Sequence, residues 1–478
     1  MNKSDAVSYI NGISEKLNIL ADDIWEYAEL SLQEYRSAAR YIGMLRDEGF
    51  AVTEKLAGID TAFCGCFGSG HPVIGILGEF DALSGLSQKP CSVSPEPLKK
   101  GGCGHGCGHN LLGAGALGAA MAVKHYLEQL PEGSGTVIFF GCPGEEGNSG
   151  KAFMAREGMF YGLDAALTWH PGSVNEVATG SNQTSMQVEY AFHGIASHAA
   201  SAPHLGRSAL DAVELMNTGV QYLREHMYPR DSVHYAITDA GGLSPNVVQA
   251  EAKVLYMVRS DNVPNTKKLL ERVDKIAEGA ALMTGTTLTR KFIDGTSNML
   301  SNSVLEGALY DSMQSVLLPS YTDDELDFAR KLFDTYPHSG IPGASPEMIT
   351  EDIAFLKEAS ENGTRPLNDF IVPYRHSETV HFGSNDVGDV SWQTPTAYFY
   401  AAAWTSMSPG HSWQNVSIGM HPLSRKAMLW ASSVLAETVI GLMEDPSVLE
   451  NAKAEWSVKA AEGYDCPIEK DCVPAAIE

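Results

Sequence analysis

Short segments that lie far apart in the chain carry side chains able to hold a metal ion. They are Cys107 and His109, Glu145 and Glu146, His170 and, near the other end of the chain, His411. Thiolate, imidazole and carboxylate groups are metal ligands, and neighbouring glycines let the backbone approach an ion closely. Scattered ligands that include adjacent glutamates indicate a catalytic metal centre rather than a structural zinc site. The chemistry they suggest is metal-assisted hydrolysis.

The Cys107 and His109 side chains are separated by one glycine, so a turn can direct both towards one ion. The alternative is a buried thiol beside a helix-capping histidine, and the motif alone does not separate the two interpretations. Cys103 and His105 repeat the spacing one step earlier and compete for the same role. We favour Cys107 and His109 because they adjoin the start of a predicted helix.

Glu145 and Glu146 follow an apolar strand and stand between glycines. Adjacent side chains diverge as they leave a turn, so one can bind a metal while the other takes a proton from water. The alternative is a solvated acidic turn.

Asp81 can orient a ligand histidine or serve as an ordinary turn residue. His170 and His411, judged alone, fit neutral structural histidines better than ligands.

The elements that must position these residues alternate between apolar strands and helices. Strands are predicted within 71–83, 135–147 and 165–172, and a long helix at 109–130. This alternation indicates an α/β sheet covered on both faces, with the candidate ligands at the C-terminal ends of strands. Within 184–296 the order becomes β-α-β-β-α-β, which suggests an inserted ferredoxin-like domain.

Composition excludes some classes of function. The chain has 478 residues, 44% of them hydrophobic, and a formal net charge of −26. That length favours two domains, and the acidic surface repels phosphate backbones and anionic lipid, so we expect no nucleic acid and no membrane as partners. The eight cysteines show no compact disulfide framework, and no secretory leader pattern is visible, so we expect reduced thiols and a cytoplasmic location. Two amphipathic helices are predicted within 5–48, and the polar tail 445–478 is expected to be irregular.

Longer motifs make the chain resemble a known family. They are GEFDALSGLSQ, GHGCGHNLLG, CPGEEGNSGK, ALTWHP, HAASAPHLGRSALDAVELM, GGLSPNVVQA and NDVGDVSW. These are similar to motifs of the metallopeptidase superfamily of aminoacylases, glutamate carboxypeptidases and amino-acid-conjugate amidohydrolases, above all of its cysteine-containing branch. The resemblance implies an α/β fold with a two-metal peptidase-type catalytic domain, a mixed sheet flanked by helices, built from 1–183 and 297–478. Residues 184–296 would form the inserted ferredoxin-like α+β domain, which serves for dimerisation and as a lid.

The resemblance also implies a role for each candidate residue. The ligands of two divalent metal ions per subunit, Mn²⁺ or Zn²⁺, would be Cys107 as the bridge, His109, Glu146, His170 and His411. Glu145 matches the general base, and Asp81 matches the acid that supports the site. Asn110 and Glu79 depart from the aspartates that are usual at their positions, and 318–382 is longer than typical amidohydrolases have. These departures put the shape of the pocket in doubt.

Further roles fall in the inserted segment. His198 matches a histidine that crosses a dimer interface to stabilise the oxyanion in the partner's site. Asn246 and Arg259 match a pair that holds the substrate carboxylate, for which a guanidinium is suited. The partner would be a second copy of the chain or a homologous subunit. From the residues alone, a strand-end histidine and a surface salt bridge are the simpler interpretations of His198 and Arg259.

The implied function is hydrolysis of a small amide substrate with a free carboxylate. The reaction would release an amino acid, and glutamate from p-aminobenzoyl-glutamate is the leading expectation. The alternatives are a dipeptidase or N-acyl amino-acid hydrolase on the same scaffold, and a subunit that acts only with a homologous partner. A free Cys107 nucleophile is a further alternative, but it leaves Glu145 and Glu146 without a role.

Overall fold

Strands and helices alternate along the chain, whose computed structural model describes residues 3–476. The strands are β1 (Ala51–Glu54), β2 (Phe63–Ser69), β3 (Val73–Glu79), β4 (Gly135–Cys142), β5 (Ala165–Gly172), β6 (Glu176–Val177), β7 (Ser181–Asn182), β8 (Thr184–His193), β9 (Ser232–Asp239), β10 (Glu251–Ser260), β11 (Thr287–Thr296), β12 (Val380–His381) and β13 (Thr396–Ala402). The helices are α1 (Lys3–Gly12), α2 (Ser14–Tyr27), α3 (Tyr35–Asp47), α4 (His109–Leu127), α5 (Gly150–Arg156), α6 (Ala209–Leu223), α7 (Val263–Thr284), α8 (Ser303–Ser315), α9 (Asp323–Phe333), α10 (Thr350–Ala359), α11 (Val387–Ser391), α12 (Trp413–Ile418), α13 (Pro422–Glu444) and α14 (Pro446–Lys459).

The main sheet has the strand order β1-β2-β4-β3-β5-β13-β6. Strands β4, β3, β5 and β13 are mutually parallel, and the outer strands join by antiparallel pairing. Successive side chains point to opposite faces, so Val137 and Phe139 of β4 enter one core, which α4 and α13 cover. Ile138 and Phe140 enter a second core with α5 and α11. The predicted mixed α/β fold is thus confirmed.

Helix α4 brings the cysteine-histidine motif to the edge of this sheet. It begins at His109, directly after Gly108, whose φ of 74° carries no Cβ penalty in glycine. The helix is apolar on every side because it is buried between the sheet and α13. A Cβ on Gly113 would lie 2.6 Å from the backbone oxygen of Glu79. This close approach holds the start of α4 against the C-terminal end of β3.

Helix α13 is the one helix within residues 3–476 that is long and apolar enough to cross a membrane. Its most apolar 18-residue window has a mean hydropathy of 1.3, but 78% of that window is buried inside the protein. Core helices pass the same test of length and composition. The helix is therefore only weak evidence for a membrane span.

The segment predicted as an insertion forms its own antiparallel sheet, in the order β11-β8-β10-β9. Helices α6 and α7 contact each other and pack on β8 and β10. Ser208 and Asn262 cap these helices by accepting hydrogen bonds from backbone N–H groups of the first turn. The β-α-β-β-α-β order matches the ferredoxin-like expectation, whereas the division of the chain at 184 and 296 into separate domains stays a prediction.

Two expectations about the chain ends are wrong in detail. The N-terminal region contains α1, α2 and α3 instead of two helices, since the helical run is interrupted at Ile13. The tail is not wholly irregular, because α14 occupies 446–459 with Asp445 as its cap. Leu449 and Ala452 are the buried residues of this helix. The low apolar content of this segment gave no helical periodicity. Pro446, at the first helical position, is the residue that indicates where the helix begins.

Candidate metal centre

The sequence-predicted ligands meet at the C-terminal edge of the parallel strands. Two groups of side chains share Cys107, and within each group the ligand atoms lie within 4.8 Å of one another. One group is Cys107, His109 and His170; the other is Cys107, Glu146 and His411. The thiol precedes α4, His170 belongs to β5, and Glu146 and His411 come from loops after β4 and before α12. The shared sulfur is the arrangement that a bridging ligand requires.

The spacing of the ligand atoms suits metal coordination. Cys107 Sγ lies 3.4 Å from His170 Nε2, and His411 Nε2 lies 3.4 Å from Glu146 Oε2. A tetrahedral zinc ion with normal bond lengths keeps its sulfur and nitrogen ligands about 3.6 Å apart. The side chains therefore need little movement to surround an ion.

Hydrogen bonds fix the orientation of the histidines. His109 Nδ1 lies 2.9 Å from Asp81 Oδ1, which leaves Nε2 directed at the ligand group. Asp81 Oδ2 accepts from Ser31 and from the backbone N–H of Glu146. Burial opposes ionisation of Asp81, but the hydrogen bond and the charge of His109, together with the bonds from the Glu146 N–H and Ser31, outweigh it and lower the pKa of the carboxyl to about 2. His170 is oriented by the contact of its Nδ1 with the Pro171 carbonyl at 2.7 Å. Such partners of ligand histidines are usual in metal sites.

Several buried polar atoms of the site lack a hydrogen-bond partner. Among residues 3–476, Glu146 Oε1 makes no hydrogen bond, and His109 Nε2 and Glu79 Oε2 make none beyond their ion-pair contact with each other at 3.2 Å. A buried polar atom without a partner costs about 1–3 kcal/mol. These atoms lie where the ligand groups meet, so a bound cation would satisfy them.

The charge of the site also fits cations. Burial, with Glu79 and Glu146 nearby, raises the pKa of Glu145 well above its usual range, and burial raises the pKa of Glu146. Burial and Glu146 likewise raise the pKa of the Cys107 thiol. Divalent cations reverse this trend, since they favour ionised carboxylates and deprotonate a coordinating thiol. Thiolate, imidazole and carboxylate together form a donor set that divalent metals accept.

Glu145 lies outside the two groups that share Cys107, although its carboxylate, Glu79 and His109 form a third group of possible ligand atoms. Its Oε2 lies 3.9 Å from His109 Nε2, and it lines the same cavity of about 200 Å³ as Cys107, Glu146 and His170. The neighbouring glutamates therefore diverge, as their position in a turn predicts. A carboxylate in this place can take a proton from a water molecule near the ligands.

The competing pair, Cys103 and His105, lies outside both ligand groups. His105 Nε2 is 3.0 Å from the carbonyl oxygen of Ile24, and burial lowers the pKa of this imidazole to about 4. It is a neutral structural histidine within the core. The preference for Cys107 and His109 is thus consistent with the geometry.

Sequence reasoning missed Lys151, which supports the site from behind. Its ammonium is fully buried and lies 2.7 Å from Glu79 Oε1 and 2.6 Å from Asp386 Oδ1. Glu79 in turn reaches to 3.2 Å from His109 Nε2. Burial lowers the pKa of Lys151, but Asp386 and Glu79 outweigh it and raise the pKa well above its usual range. The signal in the sequence was a lysine within CPGEEGNSGK that opens a buried helix.

Residues from the inserted segment stand apart from the ligands. His198 and Asn246 are exposed and do not line the metal cavity. Arg259 is half-buried and hydrogen bonds to Ser384, which does line it. Within one chain, therefore, Arg259 is the member of the predicted substrate-binding set that approaches the site.

A second cavity of about 570 Å³ adjoins the metal cavity. The two share wall residues, namely Ser384, Asn385, Tyr398 and Tyr400. Much of the remaining wall of the second cavity comes from 343–348 and 372–383. These stretches lie in or directly beside the region that is longer than typical amidohydrolases have, so the extension shapes the space next to the metal centre.

Comparisons with known proteins agree with this geometry. The model of "Peptidase family M20/M25/M40" matches residues 75–382, more than half of the chain. A subunit of the p-aminobenzoyl-glutamate hydrolase of Escherichia coli K12 is 42% identical over 468 residues, which are 96% of each chain. The Xaa-Arg dipeptidase of Mus musculus is 26% identical over 471 residues, which are 96% of this chain and 93% of the dipeptidase.

A solved structure shares the fold. It is a dinuclear metal-binding peptidase of the M20 family from Bacillus subtilis, with a TM-score of 0.53 and 18% identity over 91% of this chain and 99% of that one. The resemblance inferred from the motifs is confirmed by the family match and the 42% identity. The chain belongs to peptidase family M20/M25/M40 and is a metal-dependent hydrolase of amide bonds.

Proposed function

We propose that the protein hydrolyses p-aminobenzoyl-glutamate to p-aminobenzoate and glutamate. Support for the substrate comes from the 42% identity with a p-aminobenzoyl-glutamate hydrolase over nearly the whole chain. Support for the reaction comes chiefly from the two ligand groups that share Cys107, with Glu145 beside them. A dimetal hydrolase needs a bridging ligand and a separate proton carrier of this kind.

In this proposal two divalent ions would be held by the two ligand groups that share Cys107, one completed by His109 and His170 and the other by Glu146 and His411. Asp81 orients His109 through the hydrogen bond at its Nδ1. When bound, the ions would supply a water of lowered pKa and an electrophile for the scissile carbonyl. The thiolate and imidazoles suit Zn²⁺, while the carboxylate suits Mn²⁺ as well.

Glu145 acts as general base and then as general acid. It takes the proton from the attacking water, and it delivers that proton to the amide nitrogen as the bond to the carbonyl carbon breaks. Its place next to the ligand groups, outside the pair that shares Cys107, supports this role. Among residues 3–476, no side chain donates a hydrogen bond to the Glu145 carboxylate, whose contact with His109 is 3.9 Å long. The carboxylate can therefore accept the proton of the water.

Arg259 and Asn246 hold the α-carboxylate of the substrate, and His198 stabilises the oxyanion in the site of a partner subunit. The exposure of His198 and Asn246 within one chain supports a dimer in which the inserted segment, 184–296, is both lid and interface. The relative from Escherichia coli is named as a subunit, which supports a homologous partner; a second copy of this chain is the alternative. We place the enzyme in the cytoplasm, because its cysteines are free throughout the described residues.

The decisive variant is Glu145→Ala. We expect turnover of p-aminobenzoyl-glutamate to fall at least 100-fold, the usual contribution of a general base, while the metal content stays that of the wild type. The surface change Glu450→Ala on α14 is the matched control. Full activity of Glu145→Ala would exclude the assignment, and activity that resists a chelator would favour a Cys107 nucleophile.

A second candidate is dipeptidase activity, favoured by the identity with the Xaa-Arg dipeptidase. A panel of amides with a common acyl group and different amino acids separates the two functions. Assays of the chain alone, and of the chain mixed with a homologous partner, decide between a homo-oligomer and a heteromer. Release of glutamate only after mixing would show that the partner is obligatory.

A further inference from the structure

Glu176 is an acidic residue in the wall of the second cavity, the space of about 570 Å³ next to the metal centre. Its carboxylate makes no hydrogen bond or ion pair with any residue in 3–476, unlike the cavity's other carboxylate, Glu306, which accepts from Tyr374 and contacts His376 at 2.7 Å. A carboxylate that is withdrawn from solvent usually has a donor. The free carboxylate of Glu176 therefore faces a space in which a ligand can provide one.

The sheet fixes where this carboxylate stands relative to the metal ligands. In the order β5-β13-β6, His170 pairs with Tyr400, and Tyr400 pairs with Glu176. Paired residues of adjacent strands present their side chains on the same face. The His170 and Tyr400 rings lie 5.8 Å apart on that face, which continues to Glu176. Adjacent strands are about 4.8 Å apart, so a metal ligand and a free carboxylate stand about 10 Å from each other along one row.

An acyl group can lie along this row. Tyr398 and Tyr400 form an aromatic surface between the two cavities, with ring centroids 5.6 Å apart. The extension adds further apolar and aromatic lining, including Met348 and Tyr374. A flat ring fits between such side chains. A substituent para to the scissile carbonyl would then point away from the metal centre.

We propose that Glu176 accepts a hydrogen bond from an amino group at the far end of the substrate's acyl part, which makes it a specificity-determining residue. The idea rests on the proposed function and deepens it, since the p-amino group of p-aminobenzoyl-glutamate is a donor at that end. An aliphatic acyl chain with a terminal amine would present the same chemistry. Glu176 does not take part in bond cleavage.

The test compares substrates that differ only in the amine. Measured for wild type and Glu176→Leu, kcat/KM is compared between p-aminobenzoyl-glutamate and benzoyl-glutamate, and between 5-aminopentanoyl-glutamate and pentanoyl-glutamate. The preference for the amine is the ratio of kcat/KM with the amino group to kcat/KM without it. We expect Glu176→Leu to reduce this ratio by about tenfold or more, which corresponds to the loss of a hydrogen bond to a charged group. If the aromatic ring is required, the preference falls only for the p-aminobenzoyl-glutamate and benzoyl-glutamate pair. If any terminal amine suffices, it falls for both pairs of substrates. The conservative Glu176→Gln keeps an acceptor oxygen and should retain part of the preference, whereas the control Glu450→Gln, an exposed residue of α14, should retain all of it.

A binding measurement separates this idea from the proposed function. Calorimetry of the metal-loaded protein with p-aminobenzoate and with benzoate reports on Glu176 even when the wild type hydrolyses neither aromatic substrate. The expected result is tighter binding of p-aminobenzoate by the wild type and equal affinities in Glu176→Leu. Equal affinities in the wild type, or an equal loss for both ligands in the variant, would overturn the assignment.

Discussion

The ion triad of Lys151, Glu79 and Asp386 should be the most sensitive electrostatic element of the core. All three side chains are at most 4% exposed, and the ammonium lies within 2.7 Å of both carboxylates. At an effective dielectric constant of 20, each contact is worth about 6 kcal/mol before desolvation is counted. Removal of one partner of a buried pair costs about 3–5 kcal/mol net. We expect Lys151→Met to lose that amount of unfolding free energy.

The assay is urea unfolding of the metal-free protein, followed by circular dichroism and tryptophan fluorescence. The double variant Lys151→Met/Asp386→Asn should recover about 1–3 kcal/mol, because it removes one of the carboxylates left without a counter-charge. Lys331→Met is the control, since it breaks a surface pair with Asp327 that should contribute less than about 1 kcal/mol. A loss below about 1 kcal/mol in Lys151→Met, or no recovery in the double variant, would refute the reasoning.

Further predictions concern metal, backbone and pH. Removal of metal by a chelator should abolish activity and lower Tm; at a free metal concentration of 100 Kd the lost stabilisation is about 2.7 kcal/mol, and calorimetry with metal added back checks it. Gly150→Ala should lower both Tm and metal affinity, because its Cβ would lie 1.9 Å from the Pro143 oxygen, beside the turn that carries Glu145 and Glu146. The control Gly279→Ala, with open space around its Cβ, should leave Tm unchanged or raise it in the same thermal unfolding measurement. Burial raises the pKa of Glu176 to about 7, so the fraction of Glu176 that is anionic increases as the pH rises through 7. The ratio of kcat/KM for p-aminobenzoyl-glutamate to that for benzoyl-glutamate should therefore increase over the same pH range. A ratio independent of pH in the wild type would contradict this.

Local patterns predicted much of the fold and part of the site. Alternating apolar residues located β3, β4 and β5, and the glycine before His109 located the start of α4. The cysteine-histidine and glutamate motifs were visible because several ligands stand close together in sequence. His170 and His411 were unremarkable on their own, since their meaning depends on which strands and loops become neighbours. Long-range contact, not residue type, makes them ligand candidates.

Lys151 and Glu176 show the limit of sequence patterns more sharply. A lysine at a helix start and a glutamate in a short polar stretch are both ordinary surface features of a sequence. Burial alone distinguishes them, and burial follows from tertiary packing. Lys151 is covered because α5 packs under the sheet edge, and Glu176 is half-buried in the wall of a cavity that the extension also lines. Neither fact has a local signal.

Under the proposed function, a chain of net charge −26 must bind an anionic substrate beside an acidic site. Carboxylates crowd the ligand groups, namely those of Glu79, Asp81, Glu145 and Glu146. Alone they repel a substrate carboxylate, and their mutual repulsion adds to burial in raising the pKa of Glu145. Two bound divalent cations would offset these four carboxylates, so that the Arg259 guanidinium could attract an anion. Substrate affinity should therefore depend on metal loading even for Glu145→Ala, in which chemistry is absent, and tight binding of p-aminobenzoyl-glutamate to the metal-free variant would contradict this.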